Sequence, residues 1–211
     1  IYQNRLRDSF MENGTTIMDP ETVFFSWDTS IDKDVVIGAN IVFGKKVSIE
    51  SGVTINSFCS IENSIIKQGA SIGPFSRLRN GAEIGQDSKI GNFVEIKNSS
   101  LEEGVKVSHL SYIGDAEIGE NSNIGAGTIT CNYDGVDKHK TTIGKRAFIG
   151  SNSSLIAPLS IGDDANIAAG SSISKDVESG SLAITRAPIK LISNWSKKLT
   201  KSSSEEEKCA E

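Results

Sequence analysis

The chain has 211 residues, a length that makes one domain or at most two. Its 22 Lys and Arg against 27 Asp and Glu give a formal charge of −5. That excludes a bulk nucleic-acid binder or a polybasic membrane protein but leaves room for a local basic pocket.

In chain order, Tyr2 to Met11 mixes charged and apolar positions in the manner of a short helix, which Asn13-Gly14 ends before a turn at Pro20. Residues 1–22 are therefore read as a linker helix and turn. Aromatic residues make up only 6% of the sequence, whereas Ile occurs 27 times and Gly 20 times, ten of them directly after an isoleucine. An inward-type residue recurs every sixth position at Ile31, Ile37, Phe43, Ile49, Ile55 and Ile61. After a five-residue step the series resumes at Ile66, Ile72, Leu78, Ile84, Ile90 and Ile96. Further short steps lead to Leu101, Val107 and Ile113, then Ile118 and Ile124, and a last run covers Ile143, Ile149, Leu155, Ile161, Ile167 and Ile173.

A period of six fits neither a 3.6-residue helix nor strand alternation. It fits a parallel β-helix of hexapeptide repeats, three units closing one triangular coil of roughly eighteen residues, with coils about 4.8 Å apart. A sandwich of amphipathic strands would need hairpin turns every 8–12 residues or so, and the sequence has none. The expected fold class is all-β, a β-helix over 23–195 preceded by the helix, with each following glycine relaxing a corner. The unrepeated polar insert 130–142 (TCNYDGVDKHKTT) interrupts the period and is expected to project as a functional loop. Serine and charge dominate 196–211, which is read as a disordered tail.

Cys59, Cys131 and Cys209 form an odd set without a C-x-x-C pair. They indicate neither a disulfide framework nor a zinc site, and a reducing, cytoplasmic setting is expected. No apolar run is long enough to span a bilayer, and no charged-then-apolar leader is read. The start at Ile1 rather than Met suggests a fragment.

The period also stacks residues. Leu78 and Ile96 fall on one face a coil apart, so Arg79 and Lys97 lie side by side, a pair suited to a shared phosphate. Glu95 stacks on Tyr112. A further column contains Asn92, His109, Ala126, Ser151 and Ala169, in which a titratable group heads small residues along one edge. Of the two histidines, His109 lies near Glu95, a carboxylate able to orient it, and His139 lies in the loop beside Lys138 and Lys140. Neither Cys59 nor Cys131 has an adjacent base in sequence, so no thiolate nucleophile is indicated.

IGPFSRLRNGAEIG (72–85), GNFVEIK (91–97), SHLSYIGDAEIG (108–119), NIGAGTITCNYDG (123–135), NIAAG (166–170) and TRAP (185–188) together resemble the bifunctional bacterial N-acetylglucosamine-1-phosphate uridyltransferase / glucosamine-1-phosphate acetyltransferase family. The resemblance covers its carboxy-terminal acetyltransferase half alone. The uridyltransferase half has no counterpart, and Gly-Ala-Gly at 125–127 belongs to the repeat rather than to a nucleotide loop. What the resemblance implies is a left-handed β-helix, against the right-handed majority of parallel crossovers, assembled as a homotrimer with the site between subunits.

By position, the resemblance implies His109 as catalytic base with Glu95 as its orienting partner. Sugar-phosphate contacts fall on Arg79, Lys97, Tyr112 and Asn123. Acetyl-CoA contacts fall on Ala126, Asn132, Tyr133, Lys138, Ser151, Ala169 and Arg186. The implied reaction moves the acetyl group of acetyl-CoA to the 2-amine of glucosamine-1-phosphate on the route to UDP-N-acetylglucosamine. This half needs no metal; magnesium belongs to the absent uridyltransferase half. Neither nucleic acid nor membrane is an expected partner. Asn80 in RLRNG and Asp137-Lys138-His139 depart slightly from the family pattern. The rivals are a hexapeptide acyltransferase with another acceptor, a non-catalytic trimeric scaffold, and a γ-class carbonic anhydrase. The last needs three histidines on a metal, and the chain has two.

Overall fold

The computed structural model describes residues 2–195; the expected disordered tail, 196–211, lies outside the described residues. Helix α1 spans Tyr2–Glu12. It ends where Gly14 takes φ +96°, a conformation that costs glycine little. Thr15 N–H then bonds back to the Phe10 carbonyl at 3.0 Å. Leu6 and Phe10 pack against the core, with the Phe10 ring 4.8 Å from Phe25, which in turn stacks on Phe43 at 5.0 Å. The buried Arg7 donates from Nε to the Val23 carbonyl at 3.0 Å. The helix therefore closes one end of the stack, as a terminal cap must in a fold built of repeats.

The remainder winds through three parallel sheets of ten, nine and eight strands. The chain visits them in rotation: Thr54–Ile55 in the first, Ser60–Ile61 in the second, Ser64–Ile66 in the third, then Ser71–Ile72 beside the starting strand. Away from the two ends and the insert, register partners are 17 or 18 residues apart, as in Ile55↔Ile72 and Ile72↔Ile90. Every residue of the six-residue series is buried except Ile31, which is half-buried at the lower end. Branched aliphatic side chains fill this narrow triangular core, and the few rings gather beneath the helix.

The glycines correct one expectation. Of the ten that follow an isoleucine, only Gly73 has positive φ; the others do not relax corners. They are glycine because the next coil leaves no room. A Cβ at Gly85 would lie 2.5 Å from the carbonyl oxygens of Leu101 and Glu102, and one at Gly125 would lie 2.5 Å from Ser151 N. The left-handed corners fall elsewhere, three residues before the inward residue, and are held by residues such as Asp34, Asn40, Asp87 and Asn121. Short polar side chains tolerate that region. Phe58, Phe75 and Phe93 also occupy it, each exposed. They form a ladder on the outer surface with ring spacings of 4.8 and 5.1 Å.

The five-residue steps, Ile61 to Ile66, Ile96 to Leu101 and Ile113 to Ile118, all run from the second sheet to the third. The insert lies on that same edge, leaving the strand Ile129–Cys131 and returning in Thr141–Ile143. Thr130 keeps the inward slot, fully buried. Its hydroxyl donates to the Gly114 carbonyl at 3.0 Å and accepts the Gly114 N–H at 2.7 Å.

Candidate functional site

The strand Lys106–His109 pairs with Lys89–Asn92, and this register sets Asn92 opposite His109. His109 is exposed, and its Nδ1 lies 2.6 Å from Asn92 Oδ1. With that oxygen as acceptor the ring proton sits on Nδ1, and the Nε2 lone pair is free. Continuing the column, Ile124, Ile149 and Ile167 are in register, which places Ala126, Ser151 and Ala169 in line beyond His109. The Asn152 N–H bonds to the Ala126 carbonyl and the Gly170 N–H to the Ser151 carbonyl, both at 2.8 Å. Arg186 lies over this line, its Cδ 3.7 Å from where a Cβ on Gly170 would stand.

A second group sits on the next face. Arg79 and Lys97 are register partners, and Glu95 is paired in register with both Arg77 and Tyr112. The two cations are adjacent, as the period requires, but the chain itself neutralises each. Arg79 Nε donates to Glu95 Oε1 at 2.5 Å, and this contact holds the guanidinium above its usual pKa. Lys97 Nζ lies 2.9 and 3.2 Å from the two carboxylate oxygens of Asp115. No bound anion is needed to relieve the repulsion between them. Glu95 thus serves Arg79 within the chain, with Arg77 3.9 Å away, and the hydrogen bond to His109 is made by Asn92. The Tyr112 side chain runs across Gly114, where a Cβ would meet its hydroxyl.

Asn123 pairs in register with Lys106 and Phe148 on the first sheet and is half-buried. The loop is ordered by its own contacts. Asn132 is buried at its root and donates to Asp115 Oδ2. Tyr133 and Lys138 form an antiparallel bridge, and the exposed Tyr133 hydroxyl donates to the Gly135 carbonyl at 2.6 Å. His139 Nε2 faces Asp134 Oδ2 at 2.7 Å. That contact, with the N–H groups of Asp137 and Val136, holds the Asp134 carboxyl far below the usual carboxylate range. Lys138, His139, Glu83 and Ser100 line a cavity of about 790 Å³ between loop and third sheet, and Lys140 forms an ion pair with Glu117 beside it.

Burial pushes the thiols of Cys59 and Cys131 up, away from nucleophilic character. Among the described residues no group of three or more His, Cys, Asp or Glu could hold a metal ion, and no helix is long and apolar enough to cross a membrane. The structure also gives roles to two residues that the stacking count did not assign. Asn92 was visible in the column but not as the partner of His109, and Asp115 was not singled out. Its signal was a single carboxylate in a series of asparagines spaced 17 or 18 apart, Asn63, Asn80, Asn98 and Asn132.

Coils of six-residue units stacked in three parallel sheets, with a histidine in line with a column of small residues, define a hexapeptide-repeat β-helix protein. Residues 60–136 match a family model for the GMPPB C-terminal domain, and residues 140–175 match one for the hexapeptide repeat of succinyl-transferase. The architecture is shared with the UDP-N-acetylglucosamine acyltransferase of Francisella novicida. Its TM-score is 0.72 at 19% identity, covering 81% of this chain and 67% of that one. The prism is accordingly a left-handed β-helix. The bifunctional protein GlmU of Zymomonas mobilis is 53% identical over 94% of the chain and 44% of its own length. That of Paracoccus denitrificans is 55% identical over 88% and 42%. The chain belongs to the bifunctional GlmU family and spans a little under half the length of the relatives it matches.

Proposed function

We propose that this chain is the acetyltransferase part of a GlmU-type protein, moving the acetyl group of acetyl-CoA to the 2-amine of glucosamine-1-phosphate. The observation that carries the reading is His109, with Nε2 free and Nδ1 held by Asn92. It stands at the head of the Ala126–Ser151–Ala169 column, one coil from Lys97 and two from Arg79.

In this reading His109 Nε2 takes a proton from the 2-ammonium of the sugar. The amine attacks the thioester carbonyl, the C–S bond breaks, and the CoA thiolate leaves and is protonated by the proton that the attacking nitrogen loses as it becomes the amide. Backbone N–H near Ala126 stabilises the developing oxyanion. Arg79, Lys97, Tyr112 and Asn123 fix the sugar-phosphate, so that positioning supplies much of the acceleration. CoA lies along Ala126, Ser151 and Ala169, with Asn132, Tyr133, Lys138 and Arg186 around it. Glu95 acts on the sugar side, through Arg79.

The same proposal includes a homotrimer with its sites between subunits, supported by the exposed Phe58–Phe75–Phe93 ladder, and a cytoplasmic setting, supported by the free thiols Cys59 and Cys131. The test is release of CoA thiol from acetyl-CoA on addition of glucosamine-1-phosphate. Replacing His109 by Ala should lower kcat by about 10²–10⁴-fold with the assembly intact. Release independent of the sugar, or none from the wild-type chain, favours the scaffold reading; near-full activity of His109→Ala removes the base assignment.

A further inference from the structure

The edge between the second and third sheets carries a column of short polar side chains. Asn63, Asn80, Asn98 and Asp115 all hold positive φ there, at 41°, 55°, 47° and 50°. Backbone bonds tie one coil to the next: Gly81 N–H to the Asn63 carbonyl at 2.7 Å, Asn98 N–H to the Arg79 carbonyl at 3.2 Å, and Asp115 N–H to the Lys97 carbonyl at 3.0 Å. Because asparagine serves this corner in three coils below, the backbone turn does not demand a carboxylate at 115. A carboxylate there is costly to bury unless fully partnered, and the Asp115 side chain is only 12% exposed.

Its partners are more than corner contacts. Oδ1 accepts Asn98 Nδ2 at 2.6 Å and Lys97 Nζ at 3.2 Å. Oδ2 accepts Lys97 Nζ at 2.9 Å and also Asn132 Nδ2. The Asp115 carbonyl takes the N–H of Thr141 at 3.1 Å. One residue therefore grips the ammonium on the cationic face, the root of the loop where it leaves the prism, and the strand by which it returns. Burial pushes the Asp115 carboxyl up, but hydrogen bonds from Asn98, Lys97 and Asn132 outweigh it and leave the group below its usual range. It is the ionised form that this nest of donors fits.

We infer that Asp115 is a positioning residue that couples the two substrate subsites, its carboxylate fixing Lys97 for the sugar-phosphate and Asn132 for acetyl-CoA in one rigid unit. The inference rests on the acetyltransferase reading above. An ammonium has three donors, so Lys97 can satisfy Asp115 and still offer one to a phosphate oxygen. Its direction is set by the carboxylate rather than by the flexible stem.

Asp115→Asn preserves the corner but sets an amide donor against three incoming donors. In the full chain, steady-state kinetics should then show KM for glucosamine-1-phosphate and for acetyl-CoA each raised about tenfold, with kcat within about threefold. A merely structural role would not predict the next result. Adding Asp115→Asn to Lys97→Met should leave the sugar KM where Lys97→Met alone puts it, because the two act through one contact. Asp115→Gly, which also accepts positive φ, provides the same measurements should the amide variant fail to fold. Unchanged KM values in a folded variant, or multiplying effects in the double variant, overturn the inference. Inactivity of the wild-type chain overturns the functional reading instead.

Discussion

Lys97 and Arg79 look equivalent in the register but differ in what their removal leaves behind. The Lys97–Asp115 pair is 9% and 12% exposed, the Arg79–Glu95 pair 24% and 30%. Lys97→Ala strands a buried carboxylate and should cost about 3 kcal/mol; Arg79→Ala should cost about 1 kcal/mol or less. Urea unfolding of both variants checks this, and both should raise the acceptor KM if they hold the phosphate. The Asp115 carboxyl has a folded pKa below its unfolded value of about 3.9. Its stabilisation is therefore present above that value and lost as pH falls through the folded pKa. Melting temperatures of wild type and Asp115→Asn should be well separated at pH 7 and should converge below about pH 4. Equal separation at both ends would contradict the assignment. At this scale the sequence was legible as adjacency. The six-residue count places Arg79 beside Lys97 and Asn92 beside His109 because register is arithmetic. It does not say which neighbour a side chain turns to: Glu95 could reach up or down the face, and it turns to Arg79.

At the scale of the hexapeptide unit, the isoleucine and the glycine after it do separate jobs. The isoleucine fills the core, and the glycine lets backbone meet backbone between coils. Gly85→Ala needs no unusual φ, yet its methyl would lie 2.5 Å from the Leu101 and Glu102 carbonyls. It should lose about 1–3 kcal/mol in thermal or urea unfolding. A change under about half a kcal/mol would show that the coils can part to admit it. The strands were readable because their inward residues are so uniform. The corners are not legible from the Ile-Gly pairs, because the positive-φ positions lie three residues before the inward residue and are held by Asn, Asp, exposed Phe and a different set of glycines such as Gly52, Gly69 and Gly104. The loop was recognised by its break in period, but its internal order was not: Asp134 meeting His139, and Asn132 turning inward, depend on side-chain choices that no period encodes.

Across the whole molecule, each coil touches only its neighbours, so the fold is a stack capped by α1 at one end. The Phe58–Phe75–Phe93 ladder runs along its outside, with each ring about half exposed. Contiguous exposed apolar surface of this kind marks interaction sites. In the trimer proposed above, Phe75→Asp should shift sedimentation from trimer toward monomer while the far-ultraviolet circular dichroism stays that of a β-helix. An unchanged trimer would place the contact elsewhere. The handedness of the winding was legible only through the family resemblance, since the general preference for right-handed parallel crossovers points the other way.

Between Ile31 and Ile173 the edge between the second and third sheets is where every shortened step and the one long insert occur, while the other two edges keep a strict count of six. The prism thus has a seam at which chain length is free and two edges at which it is not. A peptide spliced between Lys45 and Lys46, on the seam and far from His109, should leave melting nearly unchanged. The same peptide after Gly52, on the edge leading into the first sheet, should unravel the coils around it. New loops can be grafted onto this scaffold along one line only, and the line is already marked by the shortened steps.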